Sequence, residues 1–452
     1  MFELFVIAAR YFFVFYIAYF LWQGVCYILI ERGKLNKDKK IPIIKQKITI
    51  IFIHVKAFLI LAYSGGPYLI FNITTLTVGI IWMLFFLIFY WLVKKFYKNS
   101  CPLIWNGLFF LTCISAITLM RLSPSLAHRQ LLWLVVAFST MLVLPIIVRI
   151  LPKLEKLELI YLVGGLGLLS STFVFGSEEF GSLRWIQIGN FGFSPAELVS
   201  FSYILYLASV FRKKMEFKQL IFPSAMAVVH VVILVAQRNL GAALIFFMSY
   251  MIIMYVATGR ELLFLLGLAL FALGSVVAYH LFGHVQVRVA IWQNPWADVH
   301  GTGYQIVQSL FAIGTWGPFG SGLTLGLPFT VPVVARDLTF AAIVEEFGLI
   351  FACGLIGVYI MIFYRGVHIA LRCKRRYYSL IAVGFTGVLA FQTFLIIGGT
   401  IGLVPLTGVT MPFVSYGGSS LFVSTIMIGM LQWIFSYYET LDKVSEGEET
   451  YA

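Results

Sequence analysis

Apolar runs of about twenty residues recur along this chain, and a run of that length is what a helix needs to cross a bilayer. They lie near residues 4–30, 48–65, 69–93, 103–120, 131–148, 157–175, 196–211, 219–236, 240–258, 262–282, 339–364, 378–398 and 414–436. Hydrophobic residues make up 61% of the 452 and charged residues 11%, too few charges to cover the surface of a soluble domain. A transmembrane barrel needs short strands of alternating polarity, and these runs do not alternate, so the sequence predicts an all-α integral membrane protein of about thirteen spans. The first run has neither a basic stretch before it nor a small-residue cleavage site after it, and reads as a retained helix rather than a signal peptide. Residues 1–100 form an amino-terminal unit of about three spans, 101–440 a polytopic core, and 441–452 an acidic tail around Glu446, Glu448 and Glu449.

Basic residues resist translocation, so their distribution orients the chain. The stretch ERGKLNKDKKIPIIKQK after the first span is densely basic and is assigned to the cytoplasm. Alternation through thirteen crossings then leaves six arginines outside (Arg121, Arg129, Arg184, Arg238, Arg288 and Arg336) and Arg10 and Lys56 within spans. The other lysines and arginines of the 32 fall inside. The amino terminus is therefore expected outside and the carboxyl terminus inside. A net charge of +13 is accounted for by a basic face beside anionic membrane lipids, and no nucleic-acid module interrupts the spans.

Neither the five cysteines (Cys26, Cys101, Cys113, Cys353, Cys373) nor the seven histidines show a metal-ligand or disulfide spacing. The acidic residues placed outside are Glu178, Glu179, Glu197, Asp298, Asp337, Glu345 and Glu346. A carboxylate at membrane depth is costly unless solvated or paired, which makes each a functional candidate. The outer loop from about 283 to 338 is rich in Gly, Pro, Trp and amides, and is expected to fold onto the membrane surface as short helices lining a cavity. Asp298 is the candidate base within it, a turn-forming Asp after Trp296 being the level alternative. Glu345 and Glu346 point about 100° apart on a helix, so one, taken as Glu345, faces a cavity and the other pairs with an arginine or sits at the interface. Arg184, Trp185 and Glu197 form a second outer cluster, in which an interfacial aromatic belt also explains Trp185. The run Ser415, Tyr416, Gly417, Gly418, Ser419, Ser420 opens the last span. Its glycines permit close approach of a backbone or ligand, and helix packing explains them equally well.

Four stretches, RWIQIGNFGFSPAE, RVAIWQNPWADVHGTGYQIVQSL, DLTFAAIVEEFGLI and MPFVSYGGSS, occur in the order found in the SEDS proteins. From about residue 103 to 437 the chain resembles that family of bacterial shape, elongation, division and sporulation proteins, which includes RodA, FtsW and SpoVE. The resemblance implies a ten-helix core that polymerises peptidoglycan glycan strands from lipid II at the outer face of the bacterial cytoplasmic membrane. It also implies a class B penicillin-binding protein as transpeptidase partner and a divalent metal cofactor, Mg or Mn, held by Asp298. The family's essential aspartate falls on Asp298, and Gly301, Gly303, Tyr304, Gln305, Gln308 and Ser309 match the residues that follow it. Substrate contacts are expected from Arg184, Trp185, Glu197, Arg288, Gly303, Tyr304, Gln305, Gln308, Ser309, Glu345 and Ser415 to Ser419. Arg184 and Arg288 would meet phosphate oxygens through forked hydrogen bonds, a headgroup-facing anchor being their other role.

The chain departs from the family pattern at Ser200, where a Lys is usual, at Asn239 for Asp, at Ile396 for Asn, and at Val333 and Ala335 for an acidic residue and a His. A divergent paralogue is the reading this supports. A flippase for a lipid-linked precursor, or an idle scaffold for the transpeptidase, are the competing functions, although no inverted repeat is visible.

Overall fold

The computed structural model describes residues 2–64, 71–150, 154–179, 182–189, 191–213 and 215–445; the glutamates assigned to the acidic tail lie outside them. The order begins α1 (Phe2–Glu31), α2 (Lys40–Tyr63), α3 (Ile73–Phe96), α4 (Pro102–Leu122), α5 (Pro124–Ile150), α6 (Glu158–Ser170) and the single turn α7 (Thr172–Phe175). Strands β1 (Gly176–Glu179), β2 (Ser182–Ile188) and β3 (Phe191–Phe193) follow. Next come α8 (Pro195–Phe211), α9 (Phe217–Ala236), α10 (Leu240–Thr258), α11 (Glu261–Leu281), α12 (Gly283–Gln293) and α13 (Tyr304–Thr315). The chain continues as α14 (Thr339–Phe347), α15 (Leu349–Arg372), α16 (Arg376–Thr400) and α17 (Gly418–Ser445). Eleven helices are long and apolar enough to cross a membrane among the described residues, and α2 and α8 occupy the other two predicted spans. The protein is an all-α, multi-pass membrane protein with one small antiparallel sheet.

Local chemistry sets many of the boundaries. Pro102 and Pro195 occupy the first helical position of α4 and α8, where a missing N–H costs nothing. Asn72 and Asn239 cap α3 and α10 by accepting from the backbone N–H of Thr75 and Ala242. Glu216 and Gln219 form a capping box on α9.

The predicted span 339–364 needs correction, because it is two helices broken at Gly348. That residue has φ 89°, and a Cβ there would lie 2.3 Å from the Phe319 carbonyl carbon and 2.5 Å from the Gly320 nitrogen. The loop crosses α14–α15 at a spacing that only glycine allows. The last span also starts later than predicted, at Gly418, so Ser415, Tyr416 and Gly417 belong to the irregular segment before it. The loop 283–338 forms short helices as expected: α12, the 3₁₀ turn Pro295–Asp298, α13 and the turn Pro328–Thr330. The sheet of residues 176–193 was not anticipated; β2 is its central strand, pairing Gly176 with Ile186 on one side and Ile186 with Phe193 on the other.

The three amino-terminal helices are joined to the rest by buried polar ties. Glu31 pairs with Arg365 of α15 at 2.5 Å, with Arg365 1% exposed and its Nε donating to Cys101 Sγ at 3.2 Å. Asn106 of α4 donates to Gln46 Oε1 and to the Ile43 carbonyl of α2. Arg10 donates to the Gly320 carbonyl, which fastens the amino-terminal half of α1 to the loop before α14. Between these helices, α5 and α15, the central window of α4 is wholly buried.

Breaking a buried pair strands one charge, whereas replacing both partners by apolar groups avoids that penalty. Glu31→Ala is expected to cost about 3–5 kcal/mol in detergent thermal unfolding. The double variant Glu31→Ala with Arg365→Leu should recover most of that loss, and a double variant no more stable than the single would show that the charge is not what holds the pair.

Candidate functional site

One end of the helical bundle encloses two adjoining cavities of about 500 Å³ and 370 Å³. Arg184, Asn239, Asp337 and Gly408 line both, so the two form one branched space. Its walls come from the sheet, from the starts of α8, α10 and α17, from α12 and α13, and from the irregular segment 401–417.

Arg184 projects from β2 at the bulge between Leu183 and Trp185, which pair with Glu178 and Ser177 of β1, and its Nη1 donates to the Gly408 carbonyl at 2.8 Å. Its Nε is buried and unpartnered. Arg288 comes from α12 and donates through Nη1 to the Leu406 carbonyl at 2.7 Å. Burial and the like charge of Arg184 both work against the charge on Arg288 and lower its pKa, while Asp337 works for it. Two guanidinium groups are thus held close by neutral carbonyls, an arrangement that attracts an anion able to accept from both. Arg129, Arg238 and Arg336 also line the space. Its carboxylates are Glu197 and Asp337, and Arg238 lies 3.7 Å from Glu178 outside it.

Five of the six arginines assigned to the outer side therefore meet in one place. Only Arg184 and Arg288 were singled out from sequence. The signal for the others was the charge sorting itself, which left few cations outside. The sixth, Arg121, pairs with Glu346 at 2.9 Å and donates to the Gly326 carbonyl at 3.1 Å.

Among the other expected contacts, Trp185, Glu197, Tyr416, Gly417, Gly418 and Ser419 line the larger cavity and Gln305 the smaller. Ser419 Oγ accepts from the Ser194 N–H, and the Trp133 ring lies where a Gly418 Cβ would stand. The remaining candidates lie outside both walls. Ser309 donates to the Thr400 carbonyl and ties α13 to α16. Ser415 donates to Thr339 Oγ1 and accepts from Met411 N–H. Gly303 packs 2.2 Å, at a would-be Cβ, from the Pro295 carbonyl oxygen. Tyr304 and Gln308 are half-buried on α13. Glu345 is buried and accepts from the Leu327 N–H at 2.6 Å, and Glu346 accepts from Thr324 N–H at 3.1 Å. The pair thus shapes the loop before it.

Asp298 is exposed at the rim of the smaller cavity, whose wall includes Pro295 and Thr302 on either side of it. Its Oδ2 accepts from the Thr302 N–H at 2.7 Å and the Thr302 hydroxyl at 3.1 Å. These bonds hold the carboxyl below its ordinary pKa. A Cβ on Gly301 would stand 2.3 Å from Oδ2, so glycine there leaves the carboxylate its place. Ser200 and Asn239, which replace the usual Lys and Asp of the resemblance, both line the larger cavity; one positive and one negative charge are missing from the same wall.

The family model described as "Cell cycle protein", covering FtsW, RodA and SpoVE, matches residues 100–439. The peptidoglycan glycosyltransferase RodA of Mycobacterium bovis is 38% identical over 271 residues, 56% of this chain and 58% of that one. Stage V sporulation protein E of Bacillus subtilis is 33% identical over 265 residues, 57% of this chain and 72% of that one. The chain spans less than two thirds of the length of the first of these relatives. A solved structure described as "Structural coordination of polymerization and crosslinking by a peptidoglycan synthase complex" superposes with a TM-score of 0.62 at 28% identity, over 74% of this chain and 97% of that one.

Arg184→Gln is expected to weaken binding of inorganic diphosphate roughly tenfold or more, measured by titration calorimetry on the purified protein. Arg129→Gln, at the exposed mouth, should weaken it less. The reverse order would move the anion away from the paired arginines.

Proposed function

Because the chain belongs to the FtsW, RodA and SpoVE family of cell cycle proteins, we propose that it polymerises peptidoglycan glycan strands from lipid II at the outer face of the bacterial cytoplasmic membrane. The observation that carries this is the pair Arg184 and Arg288, fixed to the carbonyls of Gly408 and Leu406 where two cavities meet. The relative from Mycobacterium bovis bears the activity in its name.

In the reaction a sugar hydroxyl of one lipid-linked molecule attacks the anomeric carbon of the other. A new carbon–oxygen bond forms, the bond to the lipid diphosphate breaks, and the hydroxyl proton is released. Paired guanidinium groups stabilise the charge that grows on the departing diphosphate, and fixed donors do this without reorganising during the step. Asp298 receives a hydrogen bond from the attacking hydroxyl through the carboxylate oxygen that Thr302 leaves free, and takes up the proton as the bond forms. With its pKa lowered, Asp298 stays ionised at neutral pH and is a weak proton store, so orientation and negative charge are the larger part of its contribution.

A divalent cation fits this chain only as a shared ion. Among the described residues no three His, Cys, Asp or Glu side chains stand close enough to hold one. Asp298, with one oxygen uncommitted to Thr302, suits Mg²⁺, which binds through one or two carboxylates together with substrate phosphates and water. Bound there, it would lower the pKa of the attacking hydroxyl, in place of the direct hydrogen bond to the carboxylate. A class B penicillin-binding protein is the proposed partner, in line with the crosslinking function in the description of the solved complex. The proposed orientation puts the amino terminus and the cavities outside and the carboxyl terminus inside.

Asp298→Asn should fold in membranes yet make no glycan from purified lipid II, and Gly301→Ala, which displaces the carboxylate, should lower the rate at least tenfold. Undiminished product from Asp298→Asn would reject the assignment. The sign of the pKa shift makes a second test. A carboxyl with a lowered value is ionised above its ordinary range and loses charge only as pH falls through the lower value. No inflection between about pH 5 and 8 should therefore vanish in Asp298→Glu, and one that did would mean the carboxyl titrates at neutral pH.

A further inference from the structure

Trp296 and Phe311 stand together on the outer surface, 51% and 50% exposed, with ring centroids 5.6 Å apart and planes at 72°. One belongs to the 3₁₀ turn Pro295–Asp298 and the other to α13, so the edge-to-face contact clips the Asp298 turn to the helix behind it. Trp316, 43% exposed, follows at the end of α13. From Val299 to Ala335 the sequence has no Asp, Glu, Lys or Arg. An exposed, uncharged, tryptophan-bearing surface matches what the lipid headgroup boundary selects.

The path of the chain says what covers it. Helix α11 has no buried residue, and its apolar side chains, such as Leu265, Leu273 and Leu281, are exposed along its length. In a membrane those faces meet lipid. Only Phe282 separates its outer end from α12, which at eleven residues is about 16 Å long. The turn carrying Trp296 therefore begins within one short helix of the level at which α11 leaves the hydrocarbon.

We infer that Trp296 and Phe311 are an anchor in the interface of the outer lipid leaflet, and that the anchor sets the height of Asp298. Residues two apart on a 3₁₀ turn project about 120° apart. With Trp296 held by lipid, Asp298 faces the headgroup layer beside Thr302, at the cavity rim. A lipid-linked substrate keeps its diphosphate at the same depth, so the anchor matches protein to substrate without touching it. The lipid contact stands on the surface alone; the consequence for Asp298 rests on the polymerase reading.

The test uses the full chain in vesicles of phosphatidylcholine brominated at shallow or deep chain positions, without a partner. The difference between wild-type and Trp296→Phe emission isolates Trp296. Stronger quenching of that signal by shallow than by deep bromines, with little quenching by aqueous acrylamide, is expected. Quenching by acrylamide, or by neither agent, would overturn the inference, since the ring would then lie in water or under protein. A kinetic arm reads the consequence. Trp296→Ser should raise KM for long-chain lipid II roughly three- to tenfold with kcat little changed. KM for a short-chain, water-soluble analogue should stay put, and Trp296→Phe should restore the long-chain value. An equal rise for both substrates would reduce Trp296 to a local packing role. If bromine quenching is as expected while Asp298→Asn still polymerises, the anchor stands and the catalytic assignment falls.

Discussion

Two hydrogen bonds organise the cavity-bearing end of this protein: Arg184 to the Gly408 carbonyl and Arg288 to the Leu406 carbonyl. Segment 401–417 is irregular, so its carbonyls lack helical partners, and a poorly hydrated carbonyl without a donor is costly. A guanidinium in the same surroundings lacks acceptors. Each group answers the other's need, and the result is a fixed wall at the junction where the two cavities join. Because Arg184 comes from a sheet and Arg288 from a separate short helix, one segment collects two distant loops. Both cations remain unneutralised by these bonds, since a carbonyl has no charge to give. Attraction for an anion follows from how the wall is built.

The amino-terminal helices extend this logic inward. The family model begins at residue 100, so α1 to α3 lie outside it, yet they are attached to the core by polar as well as apolar contacts. Arg10 holds Gly320, Phe13 stacks edge-on against Phe347 at 5.2 Å, and Val6 packs where a Gly322 side chain would be. These contacts converge on the loop that Glu345 and Glu346 also organise from α14. The added helices thereby stiffen the base of the loop 283–338 from behind. A loop so braced can present its far side, where α12 and the Asp298 turn lie, without internal charge of its own.

Much of this could be read from sequence because the bilayer imposes long, uniform signals. Thirteen apolar runs located the spans, and sorting the basic residues isolated the arginines that gather in the cavities. What escaped were features set at single residues or by distant contacts. The Gly348 break sits in an apolar run and becomes obligatory only because Phe319 and Gly320 cross there. The sheet rests on strands as short as Phe191–Phe193, too brief for alternation to register. Ser309, Ser415 and Gly303 matched a motif that suggested substrate contact, whereas their side chains or backbones close on Thr400, Thr339 and Pro295. A motif records that a residue type is required and leaves open whether a ligand or a neighbouring backbone requires it.

Asp298 lies at the rim and the arginines lie in the wall, and that separation suits the proposed chemistry. The attacking hydroxyl and the departing diphosphate occupy opposite sides of the anomeric carbon, so a base and a cation cluster crowded together would serve neither and would neutralise each other. Thr302 reconciles the two demands: it belongs to the cavity wall and, through its N–H and hydroxyl, fixes one oxygen of Asp298 while leaving the other uncommitted. A paired Asp–Arg site would have been more stable before substrate arrived. Keeping Asp298 on a hydrogen-bonded turn at the rim leaves Asp337 as the carboxylate that acts on Arg288, while Arg184 and Arg288 direct hydrogen bonds to the neutral carbonyls of Gly408 and Leu406.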